Sequence, residues 1–203
     1  MVTIVGVGPG SRKFMPLYAL EKIQNAKVLV GGRRHLEEFK DVPCKKIVID
    51  ASLDFKELLQ SDEEIVILAS GDPLLYGIAE TVLKYVDKEK VEIISGISSV
   101  QYMCAKIKIS MRDLPVLSLH GREEDFIEKL RQHKKIALFT DDIRTPQYIA
   151  QKLKENGFKN VKIFVGENLS YDEEMIYEFE LEELVRFNKK FELNVVVVAC
   201  GNM

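Results

Sequence analysis

The chain has 203 residues, 46% of them apolar, with 29 basic against 32 acidic side chains and a formal net charge of −3. That apolar content supports one large or two small cored domains. The slight negative balance and the absence of tryptophan speak against nucleic acid as a partner, whether through its backbone or by base stacking. Cys44, Cys104 and Cys200 lack CxxC spacing, and His35, His120 and His133 lack ligand spacing, so reduced thiols, no protein-bound metal and a cytoplasmic location are expected. No apolar run reaches the length of a membrane span, and Met1 leads directly into a strand without a signal peptide, so no membrane partner is expected.

Residues 2–7 form a β-rich run that ends in Gly6-Val7-Gly8-Pro9-Gly10. A helix is predicted from Pro16 to about Asn25, with Leu17, Leu20 and Ile23 inward. A strand over 27–30 ends at Gly31-Gly32-Arg33-Arg34-His35, and a short helix over 36–39 follows. Residues 45–50 read as a strand and 54–60 as a helix. The apolar run 65–69 stops at Ser70-Gly71-Asp72-Pro73, and a helical pattern with Ile78, Val82, Leu83 and Val86 on one face follows at once. Pro73 has no N–H to lose at a helix start, and Asp72 is placed to cap it. A strand over 91–94 ends at Ser95-Gly96-Ile97-Ser98-Ser99 and passes into a helix to about Lys106.

Residues 116–119 open a second series and end at His120-Gly121-Arg122. Residues 125–132 read as a helix, and 136–139 as a strand ending at Thr140-Asp141-Asp142. Thr145-Pro146 starts a helix that Gly157 stops. A strand over 161–165 ends at Gly166-Glu167-Asn168, and strands over 175–179 and 194–199 flank a helix over 181–186. Alternating strands and helices predict a parallel sheet with helices on both faces in the first half. The last strands lack long crossovers, which predicts a mixed sheet in the second. The expected fold is therefore α/β, with two α/β domains over 1–108 and 114–203 and a polar linker at 109–113.

Turns at the carboxyl ends of parallel strands are where open α/β sheets place ligands. Gly6, Gly8 and Gly10 invite a dinucleotide reading, but Ser11-Arg12-Lys13 stands where the third fingerprint glycine belongs, and the second strand ends in Gly31-Gly32-Arg33-Arg34 rather than in an acid. An NADP-linked oxidoreductase is thereby disfavoured. There is no P-loop and no nucleophile elbow. A non-catalytic α/β ligand-binding protein is the alternative from another class.

Four turns together, Val5-Gly6-Val7-Gly8-Pro9-Gly10, Gly71-Asp72-Pro73, Gly96-Ile97-Ser98-Ser99 and Val165-Gly166-Glu167-Asn168, resemble the tetrapyrrole (corrin/porphyrin) methyltransferase family in order and rough spacing over essentially the whole chain. Ser95 departs from the proline that usually precedes Gly-Ile-Ser-Ser. Gly31-Gly32-Arg33-Arg34-His35-Leu36, Ser118-Leu119-His120-Gly121-Arg122 and Gly166-Glu167-Asn168-Leu169 resemble the branch that methylates C5 of a cobalt-precorrin in cobalamin synthesis. A sibling activity at another ring position, or on a metal-free precorrin, is the nearest alternative; a diphthine-modifying branch fits these turns less well. The resemblance implies S-adenosylmethionine as cofactor in a cleft between the domains, a tetrapyrrole (cobalt-precorrin) substrate and a homodimer. It also implies a separate C15-methyltransferase/decarboxylase, because the chain ends at Met203 without the extra domain of fused versions.

By position, the resemblance implies cofactor contacts from Pro9, Ser70, Gly71, Asp72, Leu75, Ser98 and Ser99, with Thr140, Gly166, Glu167 and Leu169 from the second half. Precorrins carry several carboxylates, which guanidinium forks suit. Gly8, Arg33, Arg34, His35, Arg112 and Arg122 are accordingly the candidate substrate contacts. His120, Glu167 and Asp141 are candidate catalytic groups, none with a settled role. Tyr76 is expected to pack rather than react.

Overall fold

A computed structural model of the protein describes residues 1–60, 63–121 and 124–201. The chain groups into two compact units, residues 1–98 and 99–203, each with its own five-stranded sheet.

In the first unit β1 (Val2–Gly6), α1 (Leu17–Gln24), β2 (Val28–Gly31), α2 (Arg33–Glu38), β3 (Lys45–Val48), α3 (Phe55–Leu59), β4 (Ile65–Ala69), α4 (Ala79–Val82) and β5 (Val91–Ile94) follow one another. The strands run parallel in the order β3-β2-β4-β1-β5. Every residue of β1, β2 and β4 is buried, because alternate side chains enter two cores. Val5, Leu29, Val66 and Leu68 pack with Ala19 and Ile23 of α1 and Leu36 of α2. Ile4, Val28, Val30 and Ile67 pack with Leu59 of α3 and Ala79 and Val82 of α4. Each buried Val, Leu or Ile among these contributes about 1.5–3 kcal/mol.

Two local expectations change here. Leu17, expected inward, is 85% exposed, because Ala19 and Ile23, four residues apart, form the buried stripe of α1. The helix expected directly after Pro73 is delayed to Ala79. Asp72 instead accepts the Leu74 N–H at 2.8 Å, and Tyr76 stands at φ 53°, a left-handed conformation that a helix does not contain.

The second unit comprises α5 (Ser99–Ile107), β6 (Val116–Ser118), α6 (Phe126–His133), β7 (Lys135–Phe139), α7 (Pro146–Glu155), β8 (Val161–Glu167), β9 (Met175–Glu180), α8 (Leu181–Val185) and β10 (Asn194–Cys200). The sheet is mixed, in the order β6-β7-β10-β8-β9. β6 and β7 are parallel, and β10 runs antiparallel to both β7 and β8. Leu130 of α6, Ile149 and Leu153 of α7, and Leu184 of α8 cover one face against Ile136, Leu138, Ile163, Val165, Val196 and Val198. Asp125 and Thr145 cap α6 and α7 by accepting the N–H three residues on.

Helix α5, read from sequence as the end of the first domain, packs on β10 and belongs with the second unit. Within the expected linker at 109–113, two residues make contacts in the second unit. Ile109 is buried, and the Ser110 carbonyl accepts from Lys135 Nζ at 2.7 Å. Among the described residues, no helix is long and apolar enough to cross a membrane.

Candidate functional site

In the first unit three motif turns meet at the carboxyl ends of β4, β1 and β5. Gly8 and Gly71 exchange both backbone hydrogen bonds, at 3.3 and 3.0 Å, an antiparallel bridge beyond the parallel ladder. Gly6 lies between the two flanking turns. A Cβ there would collide with the Gly96 nitrogen and stand 2.7 Å from the Gly71 carbonyl oxygen, and a Cβ on Gly96 would collide with that same oxygen. Glycine is therefore required where three backbones touch.

Asp72 completes the arrangement. Oδ1 accepts the Leu74 N–H and Oδ2 accepts the Gly96 N–H at 3.3 Å. Its carboxylate therefore ties the β4 turn to the β5 turn across the end of β1. Around it, Pro9 and Ser98 are buried, Leu75 is half-buried, and Ser70 is exposed. The set offers hydroxyls, backbone polar groups and small apolar surfaces close together.

Beside β4, β2 ends at Gly31 and α2 begins. Arg33 and Arg34 are exposed on its first turn, near the same sheet edge. His35 joins them in space but not in charge. Burial, and then the Arg34 guanidinium, push its pKa down to about 4, so near neutral pH the imidazole is uncharged. Its Nε2 lies 3.3 Å from Arg34 Nη2, placed to accept from it.

In the second unit β6, β7 and β8 bring their carboxyl ends to one edge, where β10 begins. His120 is exposed, with Nδ1 3.4 Å from the Thr140 carbonyl oxygen. Asp141 accepts three backbone N–H groups, from Arg144 at 2.6 Å, Ile143 at 2.9 Å and Gly121 at 2.9 Å. The Arg144 guanidinium lies at 3.3 Å. These bonds, chiefly those from the Arg144 and Gly121 backbone, hold its carboxyl well below the usual range. Thr140 Oγ1 lies 3.0 Å from the Asn194 carbonyl oxygen and 2.8 Å from Asn194 Oδ1, and Asn194 pairs with Glu167 in the sheet.

Glu167, 3% exposed, is the last residue of β8 rather than part of a turn, since the strand runs two residues past the expected Val165. Burial alone would raise its carboxyl. Lys189 Nζ at 2.6 Å, the Glu192 N–H at 2.7 Å and the Tyr177 hydroxyl at 3.3 Å outweigh that and keep it low. A carboxylate so held is a weak base. Gly166 is covered by Leu169 and by Met103 Sδ from α5, both close to where its Cβ would be.

The structure thus gathers Gly8, Pro9, Ser70, Gly71, Asp72 and Leu75 in the first unit, and His120, Thr140, Asp141, Gly166, Glu167 and Leu169 in the second. Ser98 and Ser99 lie where the β5 turn passes into α5. Arg112 is not brought to the second group. It is exposed ahead of β6, at the opposite end of that strand from His120. Arg122 lies outside the described residues. Asn194, Lys189 and Tyr177 were not singled out from the sequence, and no motif marks them. Among the described residues no group of three or more His, Cys, Asp or Glu side chains could hold a metal ion.

Motif turns gathered at strand carboxyl ends define a small-molecule-binding α/β protein. The family model for tetrapyrrole (corrin/porphyrin) methylases matches residues 1–185, and the chain belongs to that family. It is 39% identical over 203 residues to the cobalt-precorrin-7 C(5)-methyltransferase of Salmonella typhimurium, covering 98% of each protein. It is also 24% identical over 179 residues to a decarboxylating precorrin-6Y C(5,15)-methyltransferase of Sinorhizobium sp, covering 83% of this chain and 42% of that longer protein. Among solved structures, uroporphyrin-III C-methyl transferase from Thermus thermophilus, complexed with S-adenyl homocysteine, superposes with a TM-score of 0.80 at 18% identity, covering 98% of this chain and 96% of that one. At that identity the likeness shows the fold.

Proposed function

We propose that the chain is an S-adenosylmethionine-dependent C-methyltransferase of cobalamin synthesis that methylates C5 of cobalt-precorrin-7 to give cobalt-precorrin-8. The observation that carries this reading is the convergence of Gly6, Gly8, Gly71, Asp72 and Gly96 at one sheet end, in a chain alike over its full length to a C5-methyltransferase. The donor set fits the cofactor. Hydroxyls of Ser70, Ser98 and Ser99 and turn backbone suit its ribose and amino-acid groups, while Pro9 and Leu75 suit its adenine. Thr140, Gly166 and Leu169 are proposed as contacts from the second unit.

The cofactor supplies an electrophilic methyl group on a sulfonium, and the macrocycle supplies an electron-rich carbon. The task of this chain is then to align the two and keep water out. Alignment of this kind contributes about 7–11 kcal/mol in favourable cases. Arg33 and Arg34 are proposed to hold substrate carboxylates, with His35 as a neutral hydrogen-bonding neighbour. Asp141 and Glu167 are assigned positioning rather than acid–base roles, because both are held ionised by multiple donors. His120 is the remaining candidate for a proton acceptor. Any cobalt arrives with the substrate.

Calorimetric titration with S-adenosylhomocysteine, with NADPH as control, tests the cofactor assignment; binding of NADPH alone would overturn it. Methylation of cobalt-precorrin-7 by the purified protein, read as a mass gain of one methyl, tests the reaction. A homodimer and a cytoplasmic location are proposed with it. A monomer in sedimentation at micromolar concentration would reject the dimer. The C15 methylation and decarboxylation are proposed to reside in a separate protein, and this chain should produce no carbon dioxide from its substrate.

A further inference from the structure

After Glu167 the chain passes through two left-handed residues that are not glycine, Asn168 at φ 49° and Ser170 at φ 71°. Such conformations are disfavoured for residues with a side chain and persist where surrounding contacts hold them. Between them Leu169 turns inward, is 3% exposed, and packs over Gly166. The Asn168 end is held by the segment just before β10: its N–H donates to the Leu193 carbonyl at 2.8 Å, and Nδ2 donates to Glu192 at 2.7 Å.

At the Ser170 end the Tyr171 N–H donates to the Asn168 carbonyl at 3.1 Å, and a side chain joins that backbone bond. Glu174 Oε2 accepts the Ser170 N–H at 2.7 Å. Its other oxygen pairs with Lys106 Nζ at 2.8 Å, and its side chain is 17% exposed. Tyr102 hydrogen-bonds to the same carboxylate. Tyr102, Met103 and Lys106 all belong to α5. Met103 covers Gly166, and the other two grip Glu174. Helix α5 therefore meets the segment at both of its ends, at Gly166 and at Glu174.

We propose that Glu174 is a positioning residue for the cofactor, acting through the Ser170 N–H to hold Leu169 over Gly166 at the end of β8. The inference rests on the proposed S-adenosylmethionine site and adds a residue that no turn motif contains. Glu174 acts through the backbone of the segment and does not itself touch the ligand. Lys106 and Tyr102 orient the carboxylate.

The test is S-adenosylhomocysteine calorimetry on the full chain, comparing wild type, Glu174→Ala and Glu174→Gln at a temperature where all three are folded by circular dichroism. Glutamine keeps an oxygen for the Ser170 N–H, and Lys106, 44% exposed, is left to water. The alanine variant should bind about tenfold more weakly, the factor expected for one lost charge-assisted hydrogen bond. The glutamine variant should recover most of that loss. Alanine binding as tightly as wild type would overturn the proposal. So would glutamine failing as badly as alanine, since the charge and not the Ser170 bond would then matter. Wild type that does not bind S-adenosylhomocysteine would remove the cofactor reading itself, and this inference with it.

Discussion

Asp72→Ala isolates the tie at the end of β1. The substitution removes two hydrogen bonds to a carboxylate, one of 2.8 Å to the Leu74 N–H and a longer one of 3.3 Å to the Gly96 N–H. A bond to a charged acceptor contributes roughly 1.5–3 kcal/mol. The longer bond is the weaker and the group is half-buried, so the combined loss should be about 2 kcal/mol, or about 4–8 °C in melting temperature for a chain of this size. Binding should suffer beyond stability, because the β5 turn is no longer registered against the β4 turn. We expect S-adenosylhomocysteine affinity to fall about tenfold, while Arg33→Ala, on the exposed start of α2, leaves it within about twofold of wild type. Asp72→Asn separates the two bonds. Its single carbonyl oxygen keeps Leu74, and its amide faces the Gly96 N–H donor to donor. It should therefore keep about half the lost stability yet bind as weakly as alanine. Calorimetry and thermal melting on the same preparations read both quantities. Equal affinities for wild type and Asp72→Ala would refute the idea that this carboxylate organises the cofactor turns.

Gly6→Ala should cost about 3 kcal/mol in urea denaturation, because the new methyl would meet the Gly96 nitrogen and the Gly71 carbonyl with no flexible side chain to give way; an unchanged midpoint would contradict the close approach. His35, held neutral with its pKa near 4, makes the folded state bind fewer protons than the unfolded chain between about pH 4 and 6.5. Its stability contribution is complete above pH 6.5 and is lost as pH falls toward 4. His35→Gln should remove about 1–3 kcal/mol of that acid dependence, and titration curves that coincide for the two proteins would show that His35 is solvated.

Much of this was legible because it is local. Short continuous apolar runs mark β1, β2 and β4, buried on both faces, and a glycine-containing turn after each strand marks the ligand end of the sheet. The missed features depend on contacts between distant segments. Nothing near Asp72 announces that its second oxygen reaches Gly96, so the sequence reads it as a helix cap and starts α4 too early. His35 looks cationic beside two arginines until its burial is seen. Arg112 reads as one of the basic candidates until β6 is traced, which puts it before the start of that strand, at the end away from His120. The grip of Lys106 on Glu174 spans many residues, from α5 to the segment after β8, and neither side chain lies in a motif.

The two units reach the same end by different means. Asp72 and Asp141 each follow a strand of the sheet, each accept the N–H two residues on, and each accept a glycine N–H from another turn. In the second unit that glycine, Gly121, follows β6, the direct neighbour of β7, and its Cβ position is open. In the first unit Gly96 follows β5, which is separated from β4 by β1. The carboxylate must therefore reach across the end of β1, and only an absent side chain at Gly6 leaves the path clear. A glycine is thus demanded beneath the first tie and beside it, whereas the second tie demands none beneath. The glycine at the end of β1 follows from the strand order: Gly6 keeps β1, the central strand of the three, thin enough for its neighbours to be joined over it.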